Sequence, residues 1–269
     1  MPARELRLFI EPDPEEEGAA EVFVDGTVAG RAYRFLLDTG AAQTSLVHDE
    51  LTSTFPTAGS SDSSGIFSSG HGEVVLVPSL EAGAIRAERF NAIRAAAGSR
   101  PERSLIGMDL LRALSCHFQF GAAILDLAGD EGSGDRQTQQ LILDARSHPY
   151  VQVGFGSGVA MAVWDTGASM TVVDATFIQN NPEHFEHAGA SSGTDSTGTT
   201  VETQTFTMSG AVIGGRTFPP HRVAAVDLSR VNATIEIPMQ MILGYTTLRQ
   251  ADWLMDFPGR RWRITGPPS

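Results

Sequence analysis

The sequence predicts an all-β chain made of two copies of one unit. Apolar residues come in short alternating runs broken by Gly, Ser, Thr and Pro, and few stretches show helical period. The phrase Asp-Thr-Gly-Ala occurs twice, at residues 38–41 and 165–168. Its surroundings repeat as well, which makes an internal duplication of about 130 residues the simplest reading.

Taken in order, residues 4–10 alternate as a short strand. Residues 11–18 (Glu-Pro-Asp-Pro-Glu-Glu-Glu-Gly) are acidic and proline-rich, and predict a solvated loop. Residues 21–26 and 31–37 predict two strands leading into Asp38, and residues 150–154 and 159–164 predict two leading into Asp165. A second apolar strand follows each Asp-Thr-Gly. Further on, Leu105-Ile106-Gly107-Met108 matches Ile242-Leu243-Gly244-Tyr245, with short helices expected over 108–114 and 246–251. Phe120 and Phe257 then lead into closing strands. Residues 128–140 are polar and glycine-rich, and predict the linker between an N-terminal unit, 1–127, and a C-terminal unit, 141–269. Residues 141–144 are the expected counterpart of the first strand.

Leu36-Leu37-Asp38-Thr39-Gly40-Ala41, with Leu105-Ile106-Gly107-Met108-Asp109-Leu110-Leu111 downstream, resembles the two signatures of the aspartic peptidases, retropepsin-like in detail. The resemblance covers nearly the whole chain. It departs from the retroviral enzymes in carrying both halves in one polypeptide, as pepsins do, in a chain shorter than a usual pepsin and without its disulfides. It implies a two-lobed, pseudo-two-fold fold, each lobe a closed or partly closed β-barrel. It implies hydrolysis of peptide bonds by water activated between Asp38 and Asp165, without a cofactor or metal. Terminal strands, residues 4–10 and 261–264, are expected to knit the lobes together.

The other residues of the phrase have expected supporting roles. Gly40 and Gly167 let the chain turn with N–H groups facing the carboxylates. Thr39 and Thr166 are implied by the resemblance to reach across to the opposite lobe. Gly107 and Gly244 let a strand pass close behind each aspartate. Ala41 and Ala168 stand where pepsin-type sites carry a hydroxyl that favours the ionised carboxylate, so a mildly acidic optimum is expected. Flap hairpins are expected at 59–72, with Gly65, Ile66, Phe67 and Gly70 prominent, and at 189–200, with Gly193 and Gly198.

Composition narrows the partners. The net charge of −13 argues against nucleic acid and anionic membrane, leaving a peptide or protein substrate as the expected partner. All 19 basic residues are Arg, which excludes lysine chemistry. A single cysteine, Cys116, forbids an internal disulfide; with no apolar stretch behind a basic start, it predicts a cytoplasmic setting. A monomer is expected because both halves share one chain. His184 and His187 match no zinc spacing and predict a solvated loop. Trp164, just before Asp165, is read as core or as the wall of a specificity pocket. Two other classes stay open at this stage: a peptide-binding module that keeps the fold without turnover, and an assembly protein whose tandem units serve an interface.

Overall fold

The strands expected before each Asp-Thr-Gly form, and they pair alike in the two halves. In the computed structural model, which describes residues 4–64, 69–98, 103–127, 138–156, 158–194 and 199–267, the chain is mostly strand. Arg31–Leu37 pairs antiparallel with Ala20–Val28, with Phe23 opposite Leu36. Gly158–Trp164 pairs antiparallel with Pro149–Phe155, with Tyr150 opposite Val163. Each aspartate-bearing strand takes a parallel neighbour on its other side. Ser104–Ile106 lies beside Arg31–Leu37, and Met241–Leu243 beside Gly158–Trp164. Strands flanked on both sides near a core read as almost continuous apolar runs. Phe35, Leu37, Ile106, Trp164, Met241 and Leu243 are accordingly all fully buried.

After the turns, Ser45–Leu46 runs parallel to Ile85–Ala95, and Val172–Asp174 parallel to His221–Val226. Among the described residues, these strands belong to an eight-stranded sheet in the first half and a ten-stranded sheet in the second. A third, six-stranded sheet draws on both halves. Its order is Glu5–Arg7, Ile124–Asp126, Ser115–Gln119, Asp252–Asp256, Arg261–Gly266, Gln139–Gln140. The order is palindromic: each strand from the first half has its repeat counterpart at the mirrored place. The central pair is reciprocal, with Cys116 opposite Met255 and Phe118 opposite Trp253. Such reciprocity is what a two-fold contact imposes, since the same patch meets itself.

Several expectations change here. The terminal strands enter the sheet shared by the halves, but not at its centre; Glu5–Arg7 pairs with Ile124–Asp126, and Arg261–Gly266 pairs with Asp252–Asp256 and Gln139–Gln140. The junction is the central pair, because its apolar residues Cys116, Phe118, Trp253 and Met255 are the ones that need complete burial. Gln139 and Gln140, placed in the linker by composition, form an edge strand against Trp262 and Arg261. The helices after the two glycines are single turns, Met108–Leu111 and Tyr245–Leu248, ended by the strands that follow. A helix absent from the sequence reading, Ala175–Asn180, is capped by Asp174, whose Oδ1 accepts from Thr176 N and Phe177 N.

The acidic segment is also not simply solvated. Glu16 is buried because Arg222, from the second half, neutralises it at 2.5 Å. A carboxylate out of water needs such a partner. The Arg222 guanidinium also donates to Ala188 O and Thr205 Oγ1.

Beneath the central pair lies an aromatic cluster. The Trp164 ring is 4.8 Å from Phe118 and 5.9 Å from Trp253, centroid to centroid, and Trp253 continues to Trp262 at 5.8 Å. Trp164 is thus core, not pocket wall. Cys116 is fully buried within the same apolar cluster, and that burial pushes its thiol pKa upward.

Candidate active site

Each aspartate ends an apolar strand whose backbone is fixed on one side. Asp38 N donates to Ile106 O and Asp165 N to Leu243 O, both at 3.0 Å. The strands therefore deliver the two carboxylates in equivalent backbone settings, and the following turns bring them together.

The turns are locked by the two threonines. Thr39 Oγ1 donates to Trp164 O at 2.7 Å, and Thr166 Oγ1 donates to Leu37 O at 2.5 Å. In return, Thr39 N donates to Thr166 Oγ1 at 3.2 Å, and Thr166 N to Thr39 Oγ1 at 3.1 Å. Both residues are fully buried. Four bonds in a dry junction leave no polar group orphaned, and removing one hydroxyl would strand a carbonyl and an N–H at a cost of about 1–3 kcal/mol each.

Gly40 and Gly167 are needed for space rather than for an unusual turn. Neither adopts a positive φ. Each instead faces the opposite carboxylate. A Cβ on Gly40 would stand 2.8 Å from Asp165 Oδ1, and one on Gly167 would stand 2.6 Å from Asp38 Oδ1. The backbone N–H groups do face the carboxylates, as expected. Ala41 N donates to Asp38 Oδ1 at 2.8 Å, Gly167 N to Asp165 Oδ1 at 2.8 Å, and Gly40 N to Asp165 Oδ1 at 3.1 Å. Gly107 and Gly244 pack against the chain just past each turn. A Cβ on Gly107 would lie 2.9 Å from Ala41 O, and one on Gly244 would lie 2.7 Å from Ala168 O. Those same carbonyls accept from Met108 N and Tyr245 N, at 2.8 Å each.

A second layer of support escaped the sequence reading. Gly107 N donates to Thr44 Oγ1, which donates to Asp109 Oδ1 at 2.8 Å. In the other half, Gly244 N donates to Thr171 Oγ1, which bonds Thr247 Oγ1 at 2.6 Å, and Thr247 Oγ1 bonds His221 Nε2 at 2.7 Å. The signal was present: Thr44 and Thr171 stand at the same distance after the two aspartates.

The two carboxyls lie within hydrogen-bonding reach of each other. Asp38 is 8 % exposed and Asp165 partly exposed, so the pair is largely dry yet open to solvent. Burial, and then the charge of Asp165, push the Asp38 carboxyl well above the usual range. Burial also raises Asp165, but the N–H groups of Gly167 and Gly40 and the charge of His148 oppose it. Two close carboxylates in a dry site cannot both ionise easily.

The expected flap stretches are paired hairpins where they are described. Thr57–Ser64 pairs with Ser69–Ala82, and Phe185–Thr194 with Thr200–Met208. Gly70 lies opposite Ser63, and Gly193 opposite Val201. Gly65, Ile66, Phe67 and Gly198 lie outside the described residues. His184 packs at a tilt against Phe155, while His187, in the strand Phe185–Thr194 and not in a loop, bonds Gln204. Among the described residues, no group of three or more His, Cys, Asp and Glu is arranged to hold a metal ion.

No protein-family profile matches the chain, and no curated protein matches its sequence.

Proposed function

We propose that the protein is a retropepsin-like aspartic endopeptidase with both lobes in one chain, using Asp38 and Asp165 as a catalytic dyad. One observation carries this reading: two aspartates on duplicated turns, each against the other half's glycine, share one buried site in which burial raises both carboxyls. Structural β-turns do not require two carboxylates to approach each other at the cost of their mutual repulsion. The palindromic central sheet and the like pairing of the two halves support a pseudo-two-fold, two-lobed arrangement of partly closed barrels.

Peptide hydrolysis needs a base for water and an acid for the carbonyl oxygen and then the leaving nitrogen. A dyad with a single proton supplies both. The ionised carboxylate takes a proton from a water held between the two groups, and the water oxygen adds to the scissile carbonyl carbon. The protonated carboxyl hydrogen-bonds the developing oxyanion. Collapse of the tetrahedral species breaks the C–N bond as the amine takes a proton, and the dyad returns to its starting charge. The turns are held by the threonine exchange, so the carboxylates do not reorganise during the reaction. The substrate is an extended peptide bound as an added strand, with apolar side chains beside the scissile bond. The two hairpins are its flaps. The enzyme acts as a cytoplasmic monomer without nucleic acid, membrane or cofactor.

The test is incubation of the full chain with a mixed peptide library, with and without a statine-type transition-state analogue. Cleavage blocked by the analogue is expected. Analogue binding without any cleavage would instead indicate a peptide-binding module.

A further inference from the structure

The backs of the two active-site turns are built alike and finished differently. Three consecutive residues brace each turn. Leu243 O accepts from Asp165 N at 3.0 Å, Gly244 N donates to Thr171 Oγ1 at 3.1 Å, and Tyr245 N donates to Ala168 O at 2.8 Å. Ile106, Gly107 and Met108 make the same three bonds to Asp38, Thr44 and Ala41. In each half a threonine hydroxyl thus takes the glycine N–H, and that hydroxyl must pass its own proton on.

In the first half one carboxyl ends the chain of bonds. Asp109 Oδ1 accepts from Thr44 N at 2.9 Å and from Thr44 Oγ1 at 2.8 Å. In the second half two threonines divide the task. Thr246 Oγ1 accepts from Thr171 N at 3.0 Å, and Thr247 Oγ1 lies 2.6 Å from Thr171 Oγ1. A hydroxyl does not end such a chain, because its own proton needs an acceptor. Thr171 and Thr247 are fully buried, so an unmet hydroxyl there is costly. The acceptor is His221, whose Nε2 lies 2.7 Å from Thr247 Oγ1. Its Nδ1 lies 2.8 Å from Pro219 O, which only accepts. Nδ1 therefore carries a proton, and Nε2 of the neutral ring offers its lone pair. The hydrogens run one way, from Gly244 N through Thr171 and Thr247 to His221.

That order holds only while the ring is neutral. A protonated Nε2 would donate to Thr247 and turn both hydroxyls round, leaving Thr171 to use Gly244 O at 3.4 Å. Asp109 has no such limit, since a carboxyl keeps an acceptor oxygen in either protonation state. His221 is partly exposed, so solvent protons reach it. Burial and the charge of Arg249, just past Tyr245–Leu248, disfavour its cation, and the Pro219 carbonyl favours it. On the other elements around the ring, Met208 lies opposite it in Thr200–Met208. Asp174, on Val172–Asp174, is committed to Thr176 N, Phe177 N and Leu228 N. Arg222, next to it in its own strand, is neutralised by Glu16.

We propose that His221 is a positioning residue for Asp165. Its neutral ring ends a one-way hydrogen-bond chain that holds Gly244 behind the second active-site turn, and its protonation loosens that turn but not the first. The inference rests on the peptidase reading for its catalytic meaning.

The test is NMR of the full chain labelled with nitrogen-15, following the histidine rings and the Gly107 and Gly244 amides on acidification from pH 8. His221 is expected to carry its proton on Nδ1 alone at neutral pH. The Gly244 amide is expected to shift at the midpoint of the His221 ring, while Gly107 does not. His221→Gln offers a carbonyl that accepts at every pH, and that shift of Gly244 is expected to vanish. If this variant fails to fold, Thr247→Val breaks the chain at its middle and carries the same expectation. A proton on Nε2 at neutral pH, a wild-type Gly244 amide that ignores the ring, or a shift unchanged in a folded variant would overturn the proposal. Peptide turnover on the same samples tests the positioning: Thr247→Val is expected to lower kcat roughly tenfold with KM little changed. His221→Gln is expected to remove the part of the acid limb that follows the ring. An unchanged kcat in folded Thr247→Val would overturn the positioning role. A wild type without turnover contradicts the peptidase reading, while the amide titration still decides the chain from Gly244 to His221.

Discussion

At the scale of single residues, the site is a balance between burial and hydrogen bonding. Asp38 and Asp165 titrate above the ordinary carboxylate range in the folded chain. The folded state therefore binds more protons than the unfolded state above about pH 4, and its stability falls as pH rises through the pair's own range. Asp38→Asn removes that charge conflict. Thermal unfolding at pH 7 is expected at a higher temperature in Asp38→Asn than in wild type, with the gap closing near pH 4. His221 contributes with the opposite slope. Burial lowers its pKa, its Nδ1 donates to Pro219 O, and its Nε2 is left to accept from Thr247. Its neutral form supports folding, and that support is lost as pH falls from about 6.5 through the lowered value. Thermal unfolding of His221→Gln against pH is expected to show a shallower loss on the acid side than wild type.

At the scale of elements, the strands and both Asp-Thr-Gly turns were legible because each is local: apolar period, then a breaker, then apolar period again. The glycines of the turns were found, but their reason was not. They are required by the approach of the opposite carboxylate, a contact across some 125 residues that no local pattern encodes. The helix Ala175–Asn180 was missed although Asp174 marks its start, because six residues are too few to display a period. The acidic segment was misjudged for a similar reason. Composition reports an average, whereas Glu16 alone is buried, and only against Arg222 of the other half. That ion pair holds the segment to the base of the hairpin Phe185–Thr194 and Thr200–Met208, through Ala188 O and Thr205 Oγ1. Glu16→Ala is expected to destabilise the chain by about 1–2 kcal/mol, less than a fully buried pair would because Arg222 reaches solvent. Hydrogen exchange should show faster opening of that hairpin; unchanged exchange there would contradict the coupling.

At the scale of the whole molecule, the repeat seen in the sequence became a palindromic sheet. What the sequence could not supply was which strands join the halves. Terminal strands were expected and do enter the shared sheet, but Ser115–Gln119 and Asp252–Asp256 form its central pair. The aromatic residues Phe118, Trp164 and Trp253 meet beneath it, and the threonine exchange crosses it. One apolar cluster contains residues of both halves. The halves should then unfold together rather than in sequence. Tryptophan fluorescence and far-ultraviolet circular dichroism are expected to report coincident denaturant transitions. Separated transitions would show that the halves are independently stable.

The central claim is that two aspartates act as one catalytic unit. Its most direct test is the rate of peptide cleavage between pH 3 and pH 8 by wild type, Asp38→Asn and Asp165→Asn, with folding of each variant checked in parallel. Turnover by the wild type with a mildly acidic optimum is expected, with each single variant reduced at least about a thousandfold, since members of a catalytic unit do not contribute additively. A folded variant lacking either carboxylate that still cleaves at near wild-type rate would contradict the claim.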